Sequence, residues 1–208
     1  MLSFTTKEKA LLKKLNTPAK VQDFLNGLRF NFEKPTYRGG DGETLKSPLM
    51  VLRTRSAHCF EGALLGAYIL SLHGFAPLVL HLKADKKDYD HVVAPFKVGK
   101  YWGALSKTNH AVLRYREPVY LSIRELVMSY FHEYFLDNGT KTLRQYSAPL
   151  NLNIFENDWP TERSDLWGID EELDKIKHFV ILQNDKIRKL RKADGIEIKA
   201  GKIVEFLP

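Results

Sequence analysis

The stretch from His58 to Leu72, ended by Gly74, constrains the fold more than any other segment of the chain. Within it Gly62, Ala63, Gly66 and Ala67 fall at i, i+1, i+4 and i+5, so on a helix these small residues form one smooth stripe. Glycine costs roughly 1 kcal/mol in a helix interior. Two of them therefore predict that a neighbouring backbone comes close, and that this helix is central and tightly packed.

Three extended runs follow: Ala76 to Ala84, His91 to Val98 and Tyr101 to Ser106, the last two joined by Gly99-Lys100. Short alternating runs joined by a two-residue connection predict an antiparallel meander beside the helix. Arg114 to Tyr120 adds a further extended segment. Ser122 with Glu125 three residues on is a capping box, which opens a helix expected to run to Leu136 and close at Asn138-Gly139. Its Leu126, Val127, Tyr130, Phe131 and Tyr134 have core spacing.

Towards the amino terminus, helices are expected from Phe4 to Leu15 and, capped by Thr17-Pro18, to about Phe30, with Val21, Phe24, Leu25 and Leu28 as a buried stripe. Another opens at Ser47-Pro48. The glycine-rich stretch Tyr37 to Glu43 is expected to be a loop. Beyond Tyr146 the pattern is irregular up to a helix from about Asp170, broken near Asn184. A closing hairpin is expected from Ile196 to Ile198 and Ile203 to Phe206, turned at Ala200-Gly201. The whole predicts one α+β domain over 1–208, a cysteine-bearing central helix packed on an antiparallel β-sheet, with its core at about 47–136 and helical additions at both ends (4–30 and 146–208).

The 44% hydrophobic and 12% aromatic content is ample for a buried core. The formal net charge of +7 allows attraction to phosphates without requiring it. The basic run Lys186 to Lys192 carries aliphatics at Ile187 and Leu190 instead of interleaved stacking aromatics, so it reads as a solvated helix face and not as a nucleic-acid site. The apolar stretches are too short to cross a bilayer. One cysteine forms no internal disulfide, and no leader pattern is present at Met1 to Lys9, which together place the expectation in the cytoplasm.

That cysteine, Cys59, falls where the central helix begins. There the helix dipole and the unpaired N–H groups of the first turn favour thiolate over thiol. A cysteine nucleophile needs a base within hydrogen-bond reach and a third group to fix the base's ring. His91 supplies a base at the start of one expected strand, and Ser106 or Asn109 an orienting group at the end of the next; helix, strand, hairpin, strand is a sequence of elements that can bring them together. Asp90 is expected to face away from His91, since neighbouring strand residues point to opposite sides. His58 reads as helix-start filler, and Glu61 as a first-turn acid that suits the dipole. The histidines lack the paired short spacing of a zinc site, so neither a metal nor another cofactor is expected.

Cys59 opening a helix that leads to Gly74-Phe75-Ala76-Pro77, then Asp90-His91-Val92, then Trp102-Gly103-Ala104-Leu105 together resemble the core of the transglutaminase-like superfamily, over about Arg55 to Asn109. The resemblance implies a papain-related fold and a cysteine enzyme acting on the amide, ester or thioester carbonyl of a peptide or small substrate, as hydrolase or acyltransferase. This chain departs from the family at Ser106, where an aspartate is usual. The departure, with the basic segment Arg53-Thr54-Arg55, leaves an alternative: a non-catalytic module of the same fold that binds a peptide or an anion.

Overall fold

The computed structural model describes residues 2–32 and 42–208; Tyr37 to Asp41 of the glycine-rich stretch lie outside them. Among the described residues the chain is a mixed α+β fold of eight α-helices and a sheet whose neighbouring strands are all antiparallel.

Helix α1 (Thr6–Lys14) opens on a reciprocal capping box between Thr5 and Glu8. Helix α2 (Pro18–Asn26) starts from the Thr17 cap and buries Val21 and Leu25. It ends before the expected Phe30, because β1 (Arg29–Phe30) turns aside to pair in parallel with β2 (Ser56–Ala57) in a separate two-stranded ladder. Between those strands, α3 (Pro48–Thr54) is capped by Ser47 and stopped by Arg55 in a left-handed conformation, φ 56°. The central helix α4 (Cys59–Ser71) begins four residues later.

Its small residues do what their spacing predicts. A Cβ on Gly62 would run into the Cβ of Lys107, and one on Gly66 would sit 2.8 Å from Leu105 Cδ1. Both neighbours belong to the chain at the end of β5, so the glycines set how closely α4 approaches the sheet.

That sheet is built from β3 (Leu78–Ala84), β4 (His91–Val98), β5 (Tyr101–Leu105) and β6 (Arg116–Tyr120) as a meander. On the other side of β3 it continues through β7 (Leu143–Ser147) and β9 (His178–Val180), while β8 (Leu150–Asn151) also pairs with β3. Alternation along the strands feeds two cores. Val79, Val92, Ala94, Phe96 and Leu105 pack with α2, α3 and α4; Leu80, Leu82, Val93 and Ala104 pack with Leu126, Val127 and Tyr130 of α5 (Ile123–Phe131).

Three further expectations need correcting. Helix α5 stops at Phe131 instead of Leu136, because the following chain folds back on itself: Thr142 N–H donates to Tyr134 O (3.0 Å), Phe135 bridges Lys141, and Gly139 turns at φ 79°. The region after 170 is not one broken helix. Helix α6 (Trp167–Lys175) gives way to the edge strand β9 and then to the short α7 (Asn184–Ile187). The carboxy-terminal hairpin is instead a helix, α8 (Gly195–Gly201), opened by a capping box between Asp194 and Glu197. The segment after it lies along residues 109–111, with Glu205 N–H donating to Asn109 O (2.9 Å) and Ala111 N–H to Ile203 O (3.0 Å).

No helix among the described residues is long and apolar enough to cross a membrane. In the basic run Lys186 to Lys192 the charged side chains are exposed and Ile187 and Leu190 half-buried.

Candidate active site

The first residue of α4, the first residue of β4 and the residue after β5 meet at one end of the sheet. They are Cys59, His91 and Ser106. The β4–β5 hairpin fixes the last two: turned at Gly99 (φ 59°), it pairs Val98 with Tyr101 and runs unbroken to Ala94 opposite Leu105. His91 Nε2 lies 2.8 Å from Ser106 Oγ, and both residues are buried.

The tautomer follows from proton counting. Ser106 Oγ also lies 2.5 Å from the Leu113 carbonyl, which can only accept. The single hydroxyl proton goes there, so Ser106 accepts from the Nε2–H of His91. That leaves Nδ1 as the ring nitrogen available to Cys59, whose thiol the neighbouring His91 ring helps to hold low.

Ser106 is itself held from three directions. Gln22, buried on α2, accepts the Ser106 N–H at Oε1 (2.9 Å) and donates to the Ser106 carbonyl from Nε2 (2.8 Å). Leu113, the other anchor, has φ 59°, a conformation that costs a non-glycine residue on the order of 1–2 kcal/mol. The strain is held in place because its N–H donates to Glu133 Oε2 (2.7 Å) and Glu133 is paired with Arg116 (2.6 Å).

Asn109 has different business. Its Nδ2 donates to Phe206 O (2.9 Å) and its Oδ1 accepts Phe206 N–H (2.8 Å), so both ends of the amide pin the carboxy-terminal segment. The hydroxyl of Ser106 is the group found on the His91 ring, not this amide. The ring of Phe206 covers buried Lys107, whose Nζ sits 5.2 Å from the ring centroid and donates to Leu28 O (2.6 Å). Burial lowers the Lys107 ammonium to about 8, against the opposing pull of Glu205.

The sulfur has a second neighbour that sequence reading took for filler. Burial alone pushes the Cys59 thiol up, but hydrogen bonds from His58 and His91, and the charge on both rings, outweigh it and hold the thiol well below its ordinary range. Burial likewise opposes charge on His58, yet the bond to Cys59 and the charge of Glu61 raise it to about 10. Glu61, read as a first-turn acid that suits the dipole, is wholly buried and accepts from His58 N–H (3.0 Å), Thr44 Oγ1 (2.7 Å), Lys46 N–H (3.2 Å) and Asn31 Nδ2 (3.1 Å).

Cys59 is only partly buried and opens on a cavity of about 1280 Å³, which His58, His91, Lys107 and Tyr134 also line. Asp88, Asp90, Asp137, Asp170 and Asp174 line its other parts, so the cleft is acidic in a chain of positive net charge. Asp90 turns from His91, as strand alternation predicts, and accepts from His81 Nε2 (2.9 Å) and Ala84 N–H (2.7 Å). No group of three or more His, Cys, Asp or Glu among the described residues is arranged to hold a metal ion.

Gln22, His58 and Glu61 are the residues whose part in the site went unread. Gln22 left one trace in the sequence, a polar residue between Val21 and Leu25 on a buried stripe. Comparison with models of protein families and with curated proteins finds no match to the chain.

Proposed function

We propose that the chain is a transglutaminase-like cysteine enzyme with a papain-like core, acting on an amide, ester or thioester carbonyl through an acyl-enzyme. The observation that carries this reading is the His91 ring held by Ser106 at Nε2 beside a Cys59 thiol that the ring helps to lower, at the wall of a cavity large enough for a substrate. The thiolate of Cys59 attacks the carbonyl carbon, and the carbonyl π electrons move to oxygen. The backbone N–H of Cys59, at the positive end of α4, is placed to meet that charge. Collapse of the intermediate expels the amine, alcohol or thiol, which takes its proton from His91 Nδ1. Water or an amine then attacks the thioester, returning a proton to Nδ1 and releasing the sulfur. Which of the two arrives first decides between hydrolysis and acyl transfer.

Ser106 takes the third role without a charge. It fixes the ring by accepting Nε2–H, while the missing carboxylate leaves the imidazolium less stabilised than an anionic partner would. The alternative of an anion-binding module is disfavoured by the aspartates in the cleft and by Arg53, which is occupied with Glu8 (3.3 Å) and Ser3 O (3.1 Å).

The test is Cys59→Ala and His91→Ala against a panel of activated esters and amides, with iodoacetamide alkylation of Cys59 followed across pH. Both variants are expected to lose turnover, and wild-type Cys59 to react well below ordinary thiol values. Alkylation with a midpoint near ~8.5, as for a free thiol, unchanged in His91→Ala, would overturn the reading.

A further inference from the structure

The chain between β5 and β6 is paired along its middle by residues 203–206, which run antiparallel to it. Ala111 N–H donates to Ile203 O (3.0 Å), His110 bridges Val204, and Glu205 N–H donates to Asn109 O (2.9 Å). At the next residue a side chain takes over the part of a strand: the Asn109 amide accepts Phe206 N–H at Oδ1 (2.8 Å) and donates to Phe206 O from Nδ2 (2.9 Å). An edge that reads main-chain N–H and C=O groups in this way takes up a peptide by strand addition, and contacts to its side chains give specificity.

Two side chains of the segment are read as well. The Phe206 ring lies over the Lys107 ammonium, with Nζ 5.2 Å from the ring centroid, and Arg114 Nη2 donates to Glu205 Oε2 (3.1 Å). Arg114 is itself aimed by its Nε, which donates to the His110 carbonyl (2.9 Å). Beside a cleft otherwise rich in aspartates, this stretch presents two cations, and an acid next to an aromatic is the pair that complements them. The grip is specific but shallow. Ile203 is 61% exposed and Val204 40%, so little apolar burial holds the segment down, and segments of that kind detach at a cost well below global unfolding. On the receiving side, Lys107, Thr108, Asn109 and His110 also line the Cys59 cavity. Whatever lies along them lies at the rim of the cleft.

We propose that residues 107–114 are a peptide-docking rim of the Cys59 cleft, held in cis by residues 203–206, which takes from another polypeptide an extended segment with an acidic residue followed by an aromatic one. The inference goes beyond the enzyme reading and asks nothing of the Cys59 sulfur. Glu205 and Phe206 are then a built-in competitor. An incoming segment binds only those molecules whose rim is bare, and its apparent affinity falls by that fraction. Because Glu205 and Phe206 both donate their N–H groups, neither place in the incoming segment accepts proline.

The experiment is a fluorescence-anisotropy titration of a labelled peptide copying residues 203–208 against wild type and against Glu205→Ala/Phe206→Ala, which removes the side-chain anchors of the cis segment. The double variant is expected to bind the peptide about tenfold or more tighter than wild type, as the competitor weakens. Adding Asn109→Ala to it is expected to weaken binding by about tenfold, since two hydrogen bonds are lost, and a peptide with proline in place of its phenylalanine is expected not to bind. No binding to the double variant, equal binding to it and to wild type, or binding that survives Asn109→Ala would overturn the proposal. Should the double variant fail to fold, amide hydrogen exchange of wild type with the peptide in excess decides: faster exchange at Glu205 and Phe206 supports displacement of the cis segment, and unchanged exchange overturns it.

Discussion

Two histidine corners share the wall of one cleft, and they are built on opposite principles. At the first, His91 leans on a neutral hydroxyl at Nε2 and keeps Nδ1 for the sulfur. At the second, His81 has both nitrogens committed: Nε2 lies 2.9 Å from Asp90 Oδ2 and Nδ1 lies 3.2 Å from His178 Nε2. His178 Nδ1 in turn donates to the Ile176 carbonyl (2.8 Å). Asp90, the carboxylate immediately before His91 in the chain, has gone to the other corner. A histidine with an anion and no open nitrogen ties β9 to β3; one with a serine and an open nitrogen is left able to exchange a proton. Chemistry at such a site depends on what remains unspent around the ring more than on how strongly the ring is held.

The sharpest way to break this contrast is to delete each ring in turn. His91→Ala is expected to lower turnover by about 10²–10⁴-fold, the usual worth of a positioned acid–base group, while shifting the urea midpoint little. His81→Ala is expected to do the reverse. It leaves Asp90 and His178 without their partner and costs about 1–3 kcal/mol of stability, with the alkylation of Cys59 retained. Equal loss of turnover in both variants would erase the distinction.

Placing a carboxylate at the first corner sharpens it further. Ser106→Asp would set an oxygen against the Leu113 carbonyl, an acceptor facing an acceptor, where the serine now donates. Both Ser106→Asp and Ser106→Ala are therefore expected to lower kcat, by about tenfold for the ~1.4 kcal/mol that one lost orienting bond represents. A more active Ser106→Asp variant would show that the site is short of an anion and not dependent on a donor.

Gly62→Ala tests the spacing between α4 and the end of β5. The new methyl gains helix propensity of about 1 kcal/mol but meets the Cβ of Lys107, which is close to the backbone and cannot swing away. Overpacking of this kind costs about 1–3 kcal/mol, so a net fall in melting temperature is expected. The smallest effect concerns acid. Burial, with His81 and Lys83 as like charges against the favourable Ile176 carbonyl, lowers His178 below its ordinary 6.5. A histidine with a lowered folded value binds its proton more weakly than in the unfolded chain, so stability is retained above the ordinary value and declines as pH falls through the lowered one. Amide hydrogen exchange should show β9 opening more readily below about pH 6, while exchange in β4 stays unchanged.

The scaffold of the site was legible because its signals are local and strong. Glycine and alanine at helical spacing announced close packing on α4, and Gly99-Lys100 set the register of the β4–β5 hairpin. What escaped depends on distant partners. Gln22 shows its purpose only through Ser106, and Glu61 looks like any first-turn acid until Thr44, Asn31 and Lys46 converge on it. Asn109 had the right chemistry for orienting an imidazole, but its amide is taken by the backbone of Phe206. In the last stretch Ile196 and Ile198 suggested alternation, and the Asp194–Glu197 capping box overruled it. Strand β9 was missed because three residues at a sheet edge carry too short a pattern to read.

The grip of Gln22 on Ser106 spans 84 positions of the chain. A folding intermediate that has formed the sulfur-bearing helix and the meander, but not yet docked the second helix, would hold thiol and imidazole with the hydroxyl between Gln22 and Leu113 still unanchored. On the proposed reading, the orientation of the imidazole beside the sulfur would thereby be tied to docking of α2, which closes the hydroxyl's last anchor.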